Sequence, residues 1–164
     1  MSLNFRAAKL TDLPFIVAVY NQTIPKRNAT ADLEPVTVYD RQAWFAAHNQ
    51  QTRPLWLIEV AGVPAGWLSL SDFYGRPAYQ KTVEISLYLD QPFQHQGLGQ
   101  KALAYVETQV DRLQIETILA FVFGHNIASQ NLFRQQGYTC WGHFPKIAEM
   151  DQKKYDLDIL GKNF

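Results

Sequence analysis

The chain has 164 residues, and its 15 Lys and Arg residues balance 15 Asp and Glu residues, which gives a formal net charge of zero. Hydrophobic residues make up 47% of the chain and charged residues 18%, which excludes a disordered chain and allows one real core. The balanced charge, without a local run of Lys or Arg, argues against a nucleic-acid partner.

The same composition predicts where the protein works. No apolar run reaches the roughly 18 residues of a membrane span, and the N-terminus lacks a signal-peptide pattern. The single cysteine, Cys140, excludes an internal disulfide. We therefore expect one domain over residues 1–164, in the cytoplasm and away from membranes.

Hydrophobic periodicity predicts strands and helices along the whole chain. In chain order they are a strand at 3–7, a helix that starts within 11–14 with Thr11 as a possible N-cap, a loop at 21–35, a helix at 40–49, strands at 55–61, 67–73 and 82–89 with a turn at 62–66, a helical stripe at 97–113, a strand at 115–123, a helix at 128–136, and strands at 138–144 and 154–160. The order β-α-α-β-β-β-α-β-α-β-β predicts an α/β fold with one sheet flanked by helices.

The sharpest local motif, Gln94-His95-Gln96-Gly97-Leu98-Gly99, lies between a predicted strand and a predicted helix. Glycines let backbone amides approach a phosphate closely, and a helix N-terminus adds positive potential. The motif lacks the Lys-Ser/Thr ending of a P-loop and the spacing of a dinucleotide fingerprint, so alone it fits an ordinary glycine turn equally well. Residues 91–100 carry no Lys, Arg, Asp or Glu, so any anion there would be bound by amides.

A second motif follows the next predicted strand and has the form N-x-x-S-x-x-L-F-x-x-x-G-Y from Asn126 to Tyr138. With Gln94, Gly97 and Gly99, which match Q/R-x-x-G-x-G/A, it resembles the GNAT superfamily of N-acetyltransferases over essentially the full chain. The closer resemblance is to the phosphinothricin and methionine sulfoximine acetyltransferase branch. That resemblance is carried by Tyr20-Asn21, Thr30-Ala31, Glu34-Pro35, Trp44-Phe45, Arg76-Pro77-Ala78-Tyr79, Thr82-Val83-Glu84 and Ser86-Leu87-Tyr88-Leu89.

The resemblance implies a single-domain α/β fold whose mixed, mostly antiparallel sheet splits beside the 82–89 strand to admit acetyl-CoA. Backbone amides at Leu87, Tyr88 and Leu89 would hold the pantetheine and the thioester carbonyl, because unpaired amides are costly when buried unless a ligand takes them. The pyrophosphate would lie against Gln94, His95, Gln96, Gly97, Leu98, Gly99 and Gln100. Asn126 and Ser129 would contact the same co-substrate, and a helix N-cap is the alternative role for Asn126.

Glu84 is the candidate catalytic residue. A protonated amine cannot attack a thioester, so a general base must remove a proton, and the resemblance places a glutamate here; the alternative is a solvated strand carboxylate. Related enzymes often have Tyr or His where this chain has Phe133. Phenylalanine cannot protonate the leaving thiolate, so water or another side chain would serve, or the thiolate would leave unaided.

The acceptor site is implied by a loop before the catalytic strand. Arg76 and Tyr79 would border it, and Arg can hold a carboxylate in a bidentate fork; an ordinary surface arginine is the alternative. Thr30, Phe73 and Tyr74 are further candidates. The four histidines show no metal-ligand spacing, so no metal is expected.

The resemblance thus implies acetyl transfer from acetyl-CoA to the primary amine of a small amino-acid-like acceptor. The amine would attack directly in a ternary complex, and the protein would be a homodimer. Two alternatives stay open: acetylation of a protein N-terminus or lysine, and a non-enzymatic acyl-CoA-binding regulatory module.

Overall fold

The computed structural model describes residues 2–164. The strands in this range are β1 (Leu3–Ala7), β2 (Leu55–Val60), β3 (Val63–Asp72), β4 (Thr82–Leu89), β5 (Thr117–Phe123), β6 (Thr139–Met150) and β7 (Lys153–Asn163). The helices are α1 (Leu13–Asn21), α2 (Val38–Ala46), α3 (Leu98–Glu107), α4 (Val110–Leu113) and α5 (Ile127–Gln135).

The strands form one sheet in the order β1-β2-β3-β4-β5-β7-β6. Only the β4–β5 pair is parallel among the strands of residues 2–164, and the other pairs are antiparallel. The predicted fold class is therefore confirmed, and the predicted element order holds except for the short additional helix α4.

Alternation along β4 divides its side chains between two cores. Val83 and Ile85 pack in the core that also holds Leu103 and Val106 of α3. Tyr88 points to the opposite face, where it joins the core formed with α1 and α2. Because side chains alternate along a strand, Glu84 lies on the same face as Tyr88, under α1 and α2.

Two boundaries differ from the sequence prediction, and each difference has a physical cause. The stripe predicted at 97–113 is interrupted after α3, where the Thr108 hydroxyl donates to the Tyr105 carbonyl at 2.6 Å, a bond that competes with helix continuation. Strand β6 continues well past the predicted end at 144. A register shift between Phe144 and Ala148 lets the strand pass Pro145, which cannot donate to a sheet ladder.

The structure places two further boundaries. A short 3-10 turn at Leu10–Asp12 precedes α1, so the helix begins at Leu13, inside the start predicted at 11–14. The turn predicted at 62–66 consists of Ala61 and Gly62 alone, and both have positive φ (50° and 78°). Two consecutive residues with positive φ form the tight turn of a two-residue hairpin loop. Strand β3 therefore begins directly after the turn, at Val63.

Gly66 allows β3 and β4 to approach closely. A Cβ at this position would lie 2.4 Å from the Tyr88 carbonyl oxygen and 2.9 Å from the Leu89 side chain. We expect Gly66→Ala to lower the free energy of unfolding by about 1–3 kcal/mol through overpacking, measured by urea denaturation. Gly124→Ala is the matched control, because its Cβ would meet Asp156 at an ordinary 3.5 Å; equal losses in both variants would contradict this explanation.

Candidate active site

The sheet opens between β4 and β5. Their parallel pairing ends at Glu84 and Leu119, although β4 continues to Leu89 along β3 and β5 continues to Phe123 along β7. Beyond Glu84 the two strands diverge, so their facing backbone groups have no strand partner there. The split beside the 82–89 strand, which the resemblance implied, is present.

A cavity of about 630 Å³ adjoins this split. Strand β4 contributes residues 84–88, and β5 contributes residues 120–123. Helix α5 and its N-cap contribute Asn126, Ser129 and Phe133. Strand β3 contributes Trp67, and the remaining walls are formed by α1, α2, the segment 28–31 and the end of β6, with the side chains of Ile16, Tyr20, Thr30, Arg41, Trp44 and Ile147.

Glu84 lies where the strands part. Its side chain is half-buried and lines the cavity. Within residues 2–164 its carboxylate has no hydrogen-bond or ion-pair partner, and burial raises its pKa above the usual value. A carboxylate that is desolvated and unpaired binds a proton more tightly than an exposed one, as a general base requires.

Tyr88 forms an aromatic wall of the cavity with two other rings. Trp67 stacks on it with ring centres 4.7 Å apart, and Tyr20 packs edge-on at 5.2 Å. The Tyr88 hydroxyl donates to the Ala29 carbonyl at 3.4 Å, and burial raises the pKa of Tyr88 far above its usual value. Tyr88 therefore stays protonated and fixes the segment 28–31 over the cavity.

A polar network supports the same wall. The Tyr20 hydroxyl donates to the Asp32 carboxylate and accepts from the Thr30 hydroxyl. Arg41 donates to Asp32 at 3.0 Å, and its guanidinium lies 4.9 Å from the centre of the Tyr20 ring. Sequence reasoning did not include Tyr20, Asp32 or Arg41 in the site, because three separate segments bring them together and no local spacing marks them.

The glycine motif forms a loop of free amides after β4. Gly97 has φ 76° and is the residue before α3, a left-handed conformation that favours glycine. The backbone N–H groups of residues 95–100 donate to no oxygen within the described range of the chain. Gln94 Nε2 donates to the Leu89 carbonyl at 3.0 Å, which ties the loop to the end of β4. Residues 94–100 do not line the cavity.

Asn126 and Ser129 both line the cavity. The Asn126 side chain accepts from the Ser129 amide at 3.2 Å and so caps α5, and its Nδ2 donates to the Asn28 carbonyl at 2.9 Å. The capping role considered for Asn126 is thus present. Phe133 also lines the cavity and packs edge-on against Tyr138, and its ring carries no acidic proton.

The predicted acceptor residues divide into two groups. Thr30 lines the cavity, whereas Phe73, Tyr74, Arg76 and Tyr79 do not. The three aromatic side chains form a cluster with ring centres 5.7–5.9 Å apart, and Phe73 lies 6.4 Å from Phe121 of the cavity wall. The Arg76 side chain is exposed. The cluster therefore lies beside the cavity and is connected to it through Phe121.

The described residues offer neither a cluster of metal ligands nor a membrane-spanning helix. Among residues 2–164, no three His, Cys, Asp or Glu side chains are grouped closely enough to hold a metal ion. None of the helices described here has both the length and the apolar character needed to cross a membrane.

Comparison with known proteins identifies the family. Residues 16–138 match the acetyltransferase (GNAT) family. YwnH of Bacillus subtilis, which bears the provisional name phosphinothricin acetyltransferase, is 47% identical over 161 residues, 98% of each chain. An L-methionine sulfoximine/L-methionine sulfone acetyltransferase of Pseudomonas paraeruginosa is 29% identical over 99% of this chain and 95% of its own. A Salmonella typhimurium protein solved with its cofactor acetyl-CoA is 25% identical, with a TM-score of 0.91 over 99% of this chain and 94% of that one. The chain therefore belongs to the acetyltransferase (GNAT) family and is an acetyl-CoA-dependent N-acetyltransferase.

Proposed function

We propose that this enzyme acetylates the primary amine of a small amino-acid-like acceptor of the phosphinothricin or methionine sulfoximine type. Relatives covering nearly the whole chain are named for these acceptors. The observation that carries the proposal is the split between β4 and β5, with the unpaired Glu84 where the strands part. The adjoining cavity of about 630 Å³ is of the size that holds a small molecule.

Acetyl-CoA would lie along the split as the acetyl donor. The backbone of Leu87, Tyr88 and Leu89 would hold the pantetheine arm and polarise the thioester carbonyl, because fixed amide donors stabilise the charge that develops there. The free amides of residues 95–100 and the N-terminus of α3 would hold the pyrophosphate without a cationic side chain. Asn126 and Ser129 would border the arm from the α5 side.

The reaction we propose is direct attack in a ternary complex. Glu84 takes a proton from the acceptor ammonium, and the free amine forms a C–N bond to the acetyl carbon as the C–S bond breaks. Coenzyme A leaves as a thiolate. Since Phe133 has no proton to give, the thiolate leaves unaided or takes a proton from water.

One acceptor molecule would contact residues on both sides of Phe121. Arg76 would take its carboxylate in a bidentate fork, and the cluster of Phe73, Tyr74 and Tyr79 would pack on its apolar part. Thr30, fixed by Tyr20, would face the amine end from the cavity. An acceptor that carries both a carboxylate and an amine would satisfy both groups of residues.

We further propose that residues 1–164 are one N-acetyltransferase domain, which works in the cytoplasm and does not bind nucleic acid. We also propose that the protein is a homodimer. Strand β6 is an edge of the sheet, and an edge strand offers unpaired backbone groups to a second chain. It exposes Trp141, Phe144 and Ile147. Ile147 also lines the cavity, so a second copy along β6 would border the site. Sedimentation velocity should give the mass of a dimer, and a monomer would contradict this.

A thiol-release assay across a panel of amines tests the proposed function. We expect acetyl-CoA to release coenzyme A with methionine sulfoximine, phosphinothricin or free amino acids, and not with polyamines or peptides. Faster release with peptides would indicate a protein N-terminal or lysine acetyltransferase. Binding of acetyl-CoA without release across the panel would indicate a binding module and contradict the proposal.

A further inference from the structure

The proton that Glu84 removes has to leave the site in every turnover. This follows from the proposed function, in which Glu84 is the base. Its carboxyl group is half-buried, and within residues 2–164 it has no hydrogen-bond partner to which it could pass the proton directly. A path to solvent would therefore begin at a group beside it.

Ser71 is the residue directly opposite Glu84 in the β3–β4 ladder. Directly opposite residues of an antiparallel pair share a face, and their Cβ atoms are about 4.5–5.5 Å apart. Ser71 is half-buried on the face covered by α2. Its hydroxyl is thus close enough to Glu84 to exchange a proton after a small side-chain rotation or through one water molecule.

His48 lies on the other side of Ser71. Its Nε2 is 3.4 Å from the Ser71 hydroxyl, and its Nδ1 is 2.9 Å from the Trp44 carbonyl oxygen. Because a carbonyl oxygen can only accept, Nδ1 carries the imidazole hydrogen and Nε2 is the bare acceptor. The Ser71 hydroxyl therefore donates to His48 and keeps its lone pairs available to a proton from Glu84.

The surroundings of His48 keep it a neutral acceptor. Burial lowers the pKa of His48, and the Trp44 ring packs edge-on against it at 4.8 Å. The acidic residue next to Ser71 in sequence, Asp72, is paired with Arg53 at 2.6 Å. His48 is only half-buried, so the imidazolium it forms can return its proton to bulk water.

We propose that Ser71 and His48 are positioning residues that act through Glu84 and carry its proton to solvent. The O–H bond of protonated Glu84 breaks as the Ser71 oxygen accepts that proton, and the original Ser71 proton moves to His48 Nε2. His48 then gives up a proton to water, and both side chains return to their starting states. No electrons are transferred in these steps.

The test compares Ser71→Ala and His48→Phe with wild type in dilute buffer, using acetyl-CoA and the best amine of the panel. His48→Phe keeps a ring against Trp44. We expect kcat to fall on the order of tenfold in each variant, less than the 10²–10⁴ of a general base itself, with both KM values unchanged. Added imidazole, a mobile proton carrier, should restore kcat, and the double variant should lose no more than either single one.

Ser69→Ala is the matched control, because Ser69 occupies the same face of β3 but lies opposite Ser86. Its kcat should equal that of wild type. A wild-type kcat in Ser71→Ala, or a loss that imidazole does not relieve, would overturn the relay and leave the proposed function standing. Absence of coenzyme A release by wild type with every amine would instead reject the proposed function, and the relay with it.

Discussion

Replacing Glu84 with Gln should lower kcat by about 10²–10⁴-fold, the usual contribution of a general base, and leave the KM for acetyl-CoA unchanged. The substitution keeps the size of the side chain and removes its ability to take a proton. Glu84 lies where β4 and β5 part, beside the proposed position of the thioester. Steady-state kinetics of both proteins measure the change, and equal kcat values would exclude Glu84 as the base.

The pH dependence gives an independent check of the same residue. Burial raises the pKa of Glu84 above the usual value of a glutamate, and only the deprotonated form accepts a proton. The kcat of wild type should therefore rise with pH through an ionisation above that usual value, and Glu84→Gln should lack this step. An unchanged pH–rate profile in the variant would contradict the assignment.

Glu84→Gln should also make the protein more stable at neutral and higher pH. The pKa of Glu84 is higher in the folded than in the unfolded chain, so the folded state binds more protons and loses stability as pH rises through this range. Gln carries no charge to bury. Urea denaturation should give the variant the higher midpoint at about pH 8, with the gap closing towards about pH 4. A lower midpoint for the variant than for wild type at about pH 8 would contradict this prediction. It would show that contacts in the folded state stabilise the charged form of Glu84.

The second large effect is expected at Arg76. Arg76→Ala should raise the KM for a carboxylated acceptor about 10–100-fold, because a hydrogen bond to a charged group contributes about 1.5–3 kcal/mol. The KM for acetyl-CoA should not change. Arg76→Lys should recover only part of the loss, since Lys cannot form the bidentate fork.

The control for Arg76 is the choice of substrate. The same acceptor without its carboxylate, tested as the decarboxylated amine, should give equal KM values with wild type and Arg76→Ala. Arg76 does not line the cavity, so this comparison separates a direct contact from a general disturbance of the loop. An equal loss with both amines, or no loss with either, would remove Arg76 from the acceptor site.

The sequence allowed the fold to be predicted where the pattern is local. Alternation along β4 and the Gly97 turn before α3 are marked by patterns within a few residues, and both features were predicted correctly. The extents of β3 and β6 were not, because pairing with a neighbouring strand carried each beyond its local signal. Pro145 in particular is accommodated only by a register shift against β7.

The cavity wall shows more clearly that local sequence patterns do not predict contacts between distant segments. Tyr20, Asp32 and Arg41 come from α1, a loop and α2, and their contacts depend on how these segments pack. The same holds for His48 and Ser71, which are 23 residues apart and meet only through the docking of α2 on the sheet. A single sequence carries no spacing signal for such pairs, whereas the position of Glu84 on its strand could be predicted from local alternation, and its role as base stays a prediction.

Direct attack of the amine on the thioester is tested most directly by the initial velocity of coenzyme A release, measured while acetyl-CoA and methionine sulfoximine are both varied. If both substrates occupy the split and its cavity together, double-reciprocal plots should give intersecting lines, and no acetylated enzyme should form with acetyl-CoA alone. Parallel lines with an acetylated protein would contradict direct attack.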